Sequence, residues 1–184
     1  MPHPNFFALP EQTQSALASL SVAVGGVIPV NVRTWKIDMS ALPTVPDGVD
    51  LIQQVSDWAG KSKACLYCFE NQSRDVDLVA VELAFTDAKD RVTNARAYPR
   101  LNLHGSCFYV GSSQSLAKRF KEHLGFGASE TYALQLTHWA RPLDLKLEFV
   151  CAKYPDGTTP EVIHALEDTL WQTRKPMFGR QGRT

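Results

Sequence analysis

The stretch from Cys107 to Leu124 reads CFYVGSSQSLAKRFKEHL and gathers a phenol, a guanidinium and an imidazole within a few residues. An apolar run that ends at Gly111 predicts a strand carrying Tyr109. The Ser-rich turn that follows, including Ser112, leads into a predicted helix on which Arg119 and His123 stand four residues apart on one face. Such a layout suits phosphate chemistry. A strand holds the Tyr109 ring still, Gly111 lets the backbone bend away without a Cβ in the path, and the helix aims a planar guanidinium at whatever lies beside the phenol.

Two further segments belong with this one. Upstream, Ala64-Cys65-Leu66-Tyr67-Cys68-Phe69 is a strand-like run with a second tyrosine; downstream, ALEDTLWQTRKPMFG places Glu167 on a predicted helix that ends at Lys175-Pro176. Taken in order, these residues resemble the signature of the GIY-YIG nuclease superfamily. Leu66-Tyr67 stands for its Ile-Tyr and Tyr109-Val110-Gly111 for its Tyr-Ile-Gly, with Arg119 ten residues later, His123 a turn beyond, and Glu167 at the position of its metal-binding glutamate. The departures are Cys65 in place of the first glycine, a long interval between the two tyrosines, and Gly179 where many members carry an asparagine. The contact made by that asparagine is then either missing or supplied by another residue such as Gln181.

The resemblance implies an α+β fold, a small three-stranded and mostly antiparallel sheet flanked by helices, and hydrolysis of phosphodiester bonds in double-stranded DNA. It further implies that Tyr67 or Tyr109 activates the attacking water, that Arg119 clamps the scissile phosphate, and that Glu167 holds Mg²⁺ or Mn²⁺. His123 would orient the nucleophile, pair with a tyrosine or touch a phosphate. A fixed guanidinium can grip a phosphate bidentately, and Mg²⁺ is commonly held by one carboxylate plus waters and phosphate oxygens. Gly111, Ser112, Lys118 and Lys175 are expected along the substrate path. Arg100, Asn102 and His104, in PRLNLHG just before the second tyrosine, are secondary candidates, whereas His138 and His164 read as structural and His3 as peripheral.

Composition agrees with a small enzyme. The chain has 184 residues, 44% of them hydrophobic, enough for one ordinary core. No stretch is long and apolar enough to span a membrane, and the first residues do not read as a secretion signal, so a cytoplasmic location is expected. Cys65 and Cys68 have a CxxC spacing, but on a strand they face opposite ways, so buried reduced thiols are expected for these and for Cys107 and Cys151. Net charge is +0. Residues 1–60 carry 2 Lys/Arg against 5 Asp/Glu, while residues 61–184 carry 17 against 14, so the basic excess lies in the nuclease-like part.

Residues 1–60 read as an extension wrapping the core, with a strand in VIPVNVRTWKIDM, where Ile28, Val30 and Val32 alternate, and a helix from Gly48 to Trp58. Residues 61–184 form the nuclease-like domain, with an insertion at about 70–103 that reads as helical. The elements expected after it are the Tyr109 strand, the Arg119 helix with Leu116, Phe120 and Leu124 as its buried stripe, a helix from Ser129 to Trp139, a strand over LDLKLEFVCA, and a last helix opened by Thr159 and Pro160. The insertion holds Arg74, Lys89, Arg91, Asn94, Arg96, Arg100 and Asn102, types suited to reading guanine and adenine. A compact chain of this kind resembles stand-alone restriction-type endonucleases. A DNA-repair-type nicking nuclease, a catalytically weakened binding module on the same fold, and an interaction domain with an accidental match are the alternatives. Monomer and homodimer both remain open.

Overall fold

In the computed structural model the described residues are 8–43, 45, 50–91 and 96–182. They form an α+β fold built on one antiparallel sheet. In chain order the elements are α1 (Leu9–Gly25), β1 (Asn31–Asp38), α2 (Asp50–Ala59), β2 (Cys65–Asn71), α3 (Leu78–Asp90), β3 (Cys107–Ser113), α4 (Leu116–Leu124), β4 (Lys146–Lys153) and α5 (Pro160–Arg174). The strand order is β1-β4-β2-β3.

The expected sheet of three strands is therefore a sheet of four. β1 adds to β4 in unbroken antiparallel register from Asn31↔Lys153 to Asp38↔Lys146. The expected alternation of Ile28, Val30 and Val32 is the wrong signal, because all three are exposed. The residues that turn inward are Trp35 and Ile37, and Trp35 stacks edge-on against Trp58, with ring centroids 5.2 Å apart. Large aromatic area decides which residues of this segment are buried, since it covers more apolar surface than the valines before it.

β2 is the central element and is buried at every position from Cys65 to Glu70, with no alternation, because helices cover both faces of the sheet there. On one face Tyr67 and Phe69 join Phe120 and Phe149, the Phe69–Phe149 and Phe120–Phe149 centroids lying 4.7 and 4.5 Å apart. The stripe Leu116, Phe120 and Leu124 brings α4 onto this face. On the other face α5 lays Ile163, Leu166, Leu170 and Trp171 over Leu66, Cys68 and Val110. The four cysteines are free and buried, Cys65 and Cys151 in the first cluster and Cys68 and Cys107 away from it.

The insertion is helical as expected. Asp77 caps α3 by accepting the Val79 N–H at 2.8 Å, and Val81 and Phe85 anchor it against Tyr98, Trp139 and Phe178. The helix expected from Ser129 to Trp139 does not form; only a 3₁₀ turn at Leu136–His138 is present. The helix expected from Gly48 is seen as α2 from Asp50, with Gly48 and Val49 outside the described residues. His3 also lies outside them. α1 has no counterpart in the sequence reading, because none of its residues is buried and no apolar period marks it. No helix among the described residues is long and apolar enough to cross a membrane.

Phe149 touches aromatic partners from β1, β2 and α4. Phe149→Ala is expected to lower the unfolding free energy by about 3–5 kcal/mol, measured by chemical denaturation.

Candidate active site

In the antiparallel register of β2 and β3, Tyr67 lies opposite Gly111 and Phe69 opposite Tyr109. Tyr67 and Tyr109 are thus diagonal neighbours on one face, and their rings stack at 6.3 Å with planes 10° apart. A Cβ on Gly111 would lie 2.6 Å from the Tyr67 hydroxyl oxygen and 3.0 Å from the Tyr109 ring. The glycine is needed for this close approach of two phenols. It does not bend the strand away as expected from sequence, since β3 continues to Ser113.

α4 supplies the donors. The His123 Nδ1 accepts the Leu134 backbone N–H at 3.2 Å, which places the proton of the neutral ring on Nε2, 3.0 Å from the Tyr67 hydroxyl. Arg119 Nε donates to the same oxygen at 3.2 Å, while its Nη2 reaches the Tyr109 hydroxyl at 3.1 Å. The Tyr132 carbonyl accepts from Nη2 at 2.8 Å and the Glu122 carboxylate from Nη1 at 3.0 Å. Burial pushes the Tyr67 pKa well up, despite the opposing charge of Arg119, so Tyr67 stays a phenol. Burial and the Arg119 charge hold His123 well below its ordinary value, so it stays neutral. For Arg119, burial works against the charge, but the two tyrosine oxygens and Glu122 outweigh it and raise the pKa.

His123 is fully buried, which leaves no exposed surface for the phosphate contact considered for it. Its position is that of a tyrosine partner. Tyr109 is only partly buried and faces a cleft of about 740 Å³ shared with Arg119 and Glu167. The wall also holds Lys89, Arg100 and Arg180. Tyr67 is not part of it. β3 is the edge strand, which lets α5, packed on the opposite face, present Glu167 beside Tyr109. Among the described residues Glu167 has no hydrogen-bond or ion-pair partner, and no group of three or more His, Cys, Asp or Glu side chains is placed to hold a metal. Its neighbour Asp168 buries one carboxylate oxygen that lacks a partner.

Gly179 has φ 108°, and a Cβ there would press on the Tyr109 ring at 3.1 Å. The amide that holds this turn comes from Asn102, whose Nδ2 donates to the Pro176 and Gly179 carbonyls at 3.0 Å each; Gln181 is exposed and is not the substitute. Of the remaining expected residues, only Arg100 lines the cleft. Ser112 and Lys118 border other hollows. Lys175 is exposed at the end of α5, and His104 is exposed and paired with Glu82 at 2.5 Å, so neither meets the cleft.

The expected base-reading set is also changed. Arg96 is tied to the Gly127 carbonyl and to buried Gln135 at 3.0 Å, so it braces the fold; Arg91 pairs with Asp87, and Asn94 lies outside the described residues. The sequence reading did not anticipate the backbone groups of Tyr132 and Leu134, which carry no residue-type signal. Glu122 could have been found, standing three residues after Arg119 on the same helix.

Because His123 titrates far below an unfolded histidine, whose pKa is about 6.5, the unfolded chain takes up a proton below that pH and the folded chain does not. Stability should therefore fall on acidification below pH ~6.5, with this one group contributing up to about 1.4 kcal/mol per pH unit. Denaturation series at several pH values on the wild type and on His123→Gln check this. The variant is expected to show the flatter acid limb.

Comparison with protein-family models, with curated proteins and with solved structures returns no match for this chain.

Proposed function

We propose that this chain is a metal-dependent DNA endonuclease that hydrolyses phosphodiester bonds, of the GIY-YIG kind, in a restriction-type or related DNA-cutting role. The observation that carries the reading is the convergence of Arg119 on both tyrosine hydroxyls at the wall of a cleft that also holds Glu167. In a chain of zero net charge, that wall gathers Lys89, Arg100, Arg119 and Arg180 around one carboxylate. This is the composition expected for a polyanion whose reacting phosphate needs a cation site.

The roles of the two tyrosines differ. Tyr109, on the cleft wall, is the hydroxyl that orients the attacking water. Tyr67, buried and receiving two donors, is a fixed post that sets the direction of Arg119. Four N–H groups of Arg119 are already committed to protein partners. The guanidinium has five, so one remains for the phosphate, and the bidentate grip expected from sequence requires release of the Tyr132 carbonyl. Preorganised in this way, its charge stabilises the equatorial oxygens as they gain negative charge. Glu167 suits Mg²⁺ or Mn²⁺, since a half-exposed carboxylate without a protein partner in a wide cleft leaves room for the waters such an ion keeps. Bound there, the ion would supply charge stabilisation to the leaving 3′-oxygen.

A second reading, a DNA-binding module that no longer turns over, draws on the same saturation of Arg119 by internal partners. Metal-dependent nicking of supercoiled plasmid separates the two. Activity supports the nuclease, and binding without nicking supports the module.

Glu167→Ala is expected to abolish Mg²⁺-dependent nicking while leaving duplex affinity nearly intact. Arg119→Ala should lower the rate by about 10²–10³-fold, the scale for loss of one preorganised charge stabiliser. Of the two phenol deletions, Tyr109→Phe should cost more in single-turnover rate than Tyr67→Phe. The reverse order would reassign the water-orienting hydroxyl.

A further inference from the structure

A second concave region lies at the other end of α5. One hollow of about 570 Å³ is bordered by Lys61, Lys63, Ser112, Ser113, Thr158 and His164, and an adjoining one of about 420 Å³ by Ser56, Ser115 and Lys118. The two share Lys61, Lys63 and Gln114, so they form one trough. Its only acidic wall residue is Asp156. This imbalance is not general on the surface, for the hollow beside β1 and β4 sets Lys36 and Lys146 against Asp38 and Glu148. The first turns of α4 and α5 also border the trough, and neither Ser115 nor Thr159 spends its side chain on capping its helix.

The trough is linked to the cleft by α5. Pro160, His164 and Glu167 are spaced to lie along one side of that helix, with the first two on the trough and the third on the cleft. The seven steps from Pro160 to Glu167 span about 10 Å at 1.5 Å per residue. The trough therefore lies a short way along α5 from the cleft, within reach of the same strand. Ser112 and Ser113 continue directly from Gly111 and cover the same interval along β3.

We propose that this trough is a phosphate-backbone site, in which Lys61 and Lys63 hold the DNA strand to one side of the scissile bond. The proposal rests on the nuclease reading. It adds Lys61 and Lys63 to the strand's path, and it gives Ser112, Lys118 and His164 a place beside the backbone, away from the chemistry.

The test is the salt dependence of binding to a 20-base-pair duplex, followed by fluorescence anisotropy with Ca²⁺ in place of Mg²⁺. Each lost phosphate contact lowers the slope of log K against log salt by about 0.9. The double variant Lys61→Gln/Lys63→Gln is expected to lose nearly two units of slope and at least tenfold in affinity at low salt. Lys36→Gln/Lys146→Gln, which removes the same charge at the balanced hollow, is expected to keep the wild-type slope. Equal loss in both double variants would overturn the site in favour of a diffuse charge effect. An unchanged slope in Lys61→Gln/Lys63→Gln would overturn it while leaving the nuclease reading standing. If the wild type bound no duplex at low salt and nicked no plasmid, both would fall together. Inorganic phosphate that displaced no duplex at low millimolar concentration would support a site for the polymer. Binding of inorganic phosphate alone, with the duplex slope intact, would overturn it.

Discussion

The structure depends on the oxygen of Tyr67. Two donors from α4 meet there, the Nε2–H of His123 and the Nε–H of Arg119, at 3.0 and 3.2 Å. A buried hydroxyl without partners would destabilise the central strand, so satisfying it couples β2 to α4 as firmly as the packing of Phe69 on Phe120 does. The Arg119 bond to that oxygen, together with the Nη2 bond to the Tyr109 hydroxyl, fixes the plane of the guanidinium. Gly111 is required because the phenol lies almost on the neighbouring strand, and Leu134 is held because its N–H sets the His123 tautomer. One polar junction thus constrains a strand, a helix and a loop. None of its members except Arg119 reaches the cleft.

The residues of this junction and of the cleft beside it were legible from type and order, since Tyr67, Tyr109, Arg119, His123 and Glu167 are polar groups set into apolar runs at regular spacings. Their division of labour was not. Whether His123 faces solvent or Tyr67 depends on α4 packing its imidazole beneath Tyr109, and helical spacing alone allows either side of the stripe. The strand expected in VIPVNVRTWKIDM forms as β1, but its inward face was misread for a related reason. Ile28, Val30 and Val32 alternate as well as any strand, yet Trp35 and Ile37 are the residues buried, Trp35 against Trp58 and Phe149. Sequence periodicity identifies a pleat but does not say which stretch of it the rest of the fold covers.

The segment from Thr131 to Gln135 shows the limit most clearly. Its composition permits a helix, and Ser129 looks like a cap. In the fold its backbone groups are used outside any helix: the Tyr132 carbonyl accepts from Arg119, the Leu134 N–H donates to His123, and the Thr131 carbonyl accepts from Gln135. Gln135 takes a left-handed conformation at φ 56°, unusual for a residue with a Cβ, while its buried side chain also reaches Arg96. A helix would consume these N–H and C=O groups internally. The local preference loses because the site needs a donor and an acceptor from the same few residues, and strained, non-repetitive backbone often stands where function is organised.

Charge shows a comparable division. The chain as a whole is neutral, which by itself argues against a nucleic-acid partner, but neutrality is an average over surfaces that differ. The cleft wall sets four cations around Glu167, the trough by the start of α5 sets three lysines against Asp156, and the hollow beside β1 is balanced. Fields near a protein surface fall off over about 8–10 Å at ordinary ionic strength, so a strand lying in one groove feels the local set and little of the total. Two basic hollows joined along one side of α5 define a direction across the protein. A polymer of evenly spaced charge is the ligand that can use both at once, because each phosphate seated in one hollow raises the effective concentration of the next phosphate at the other.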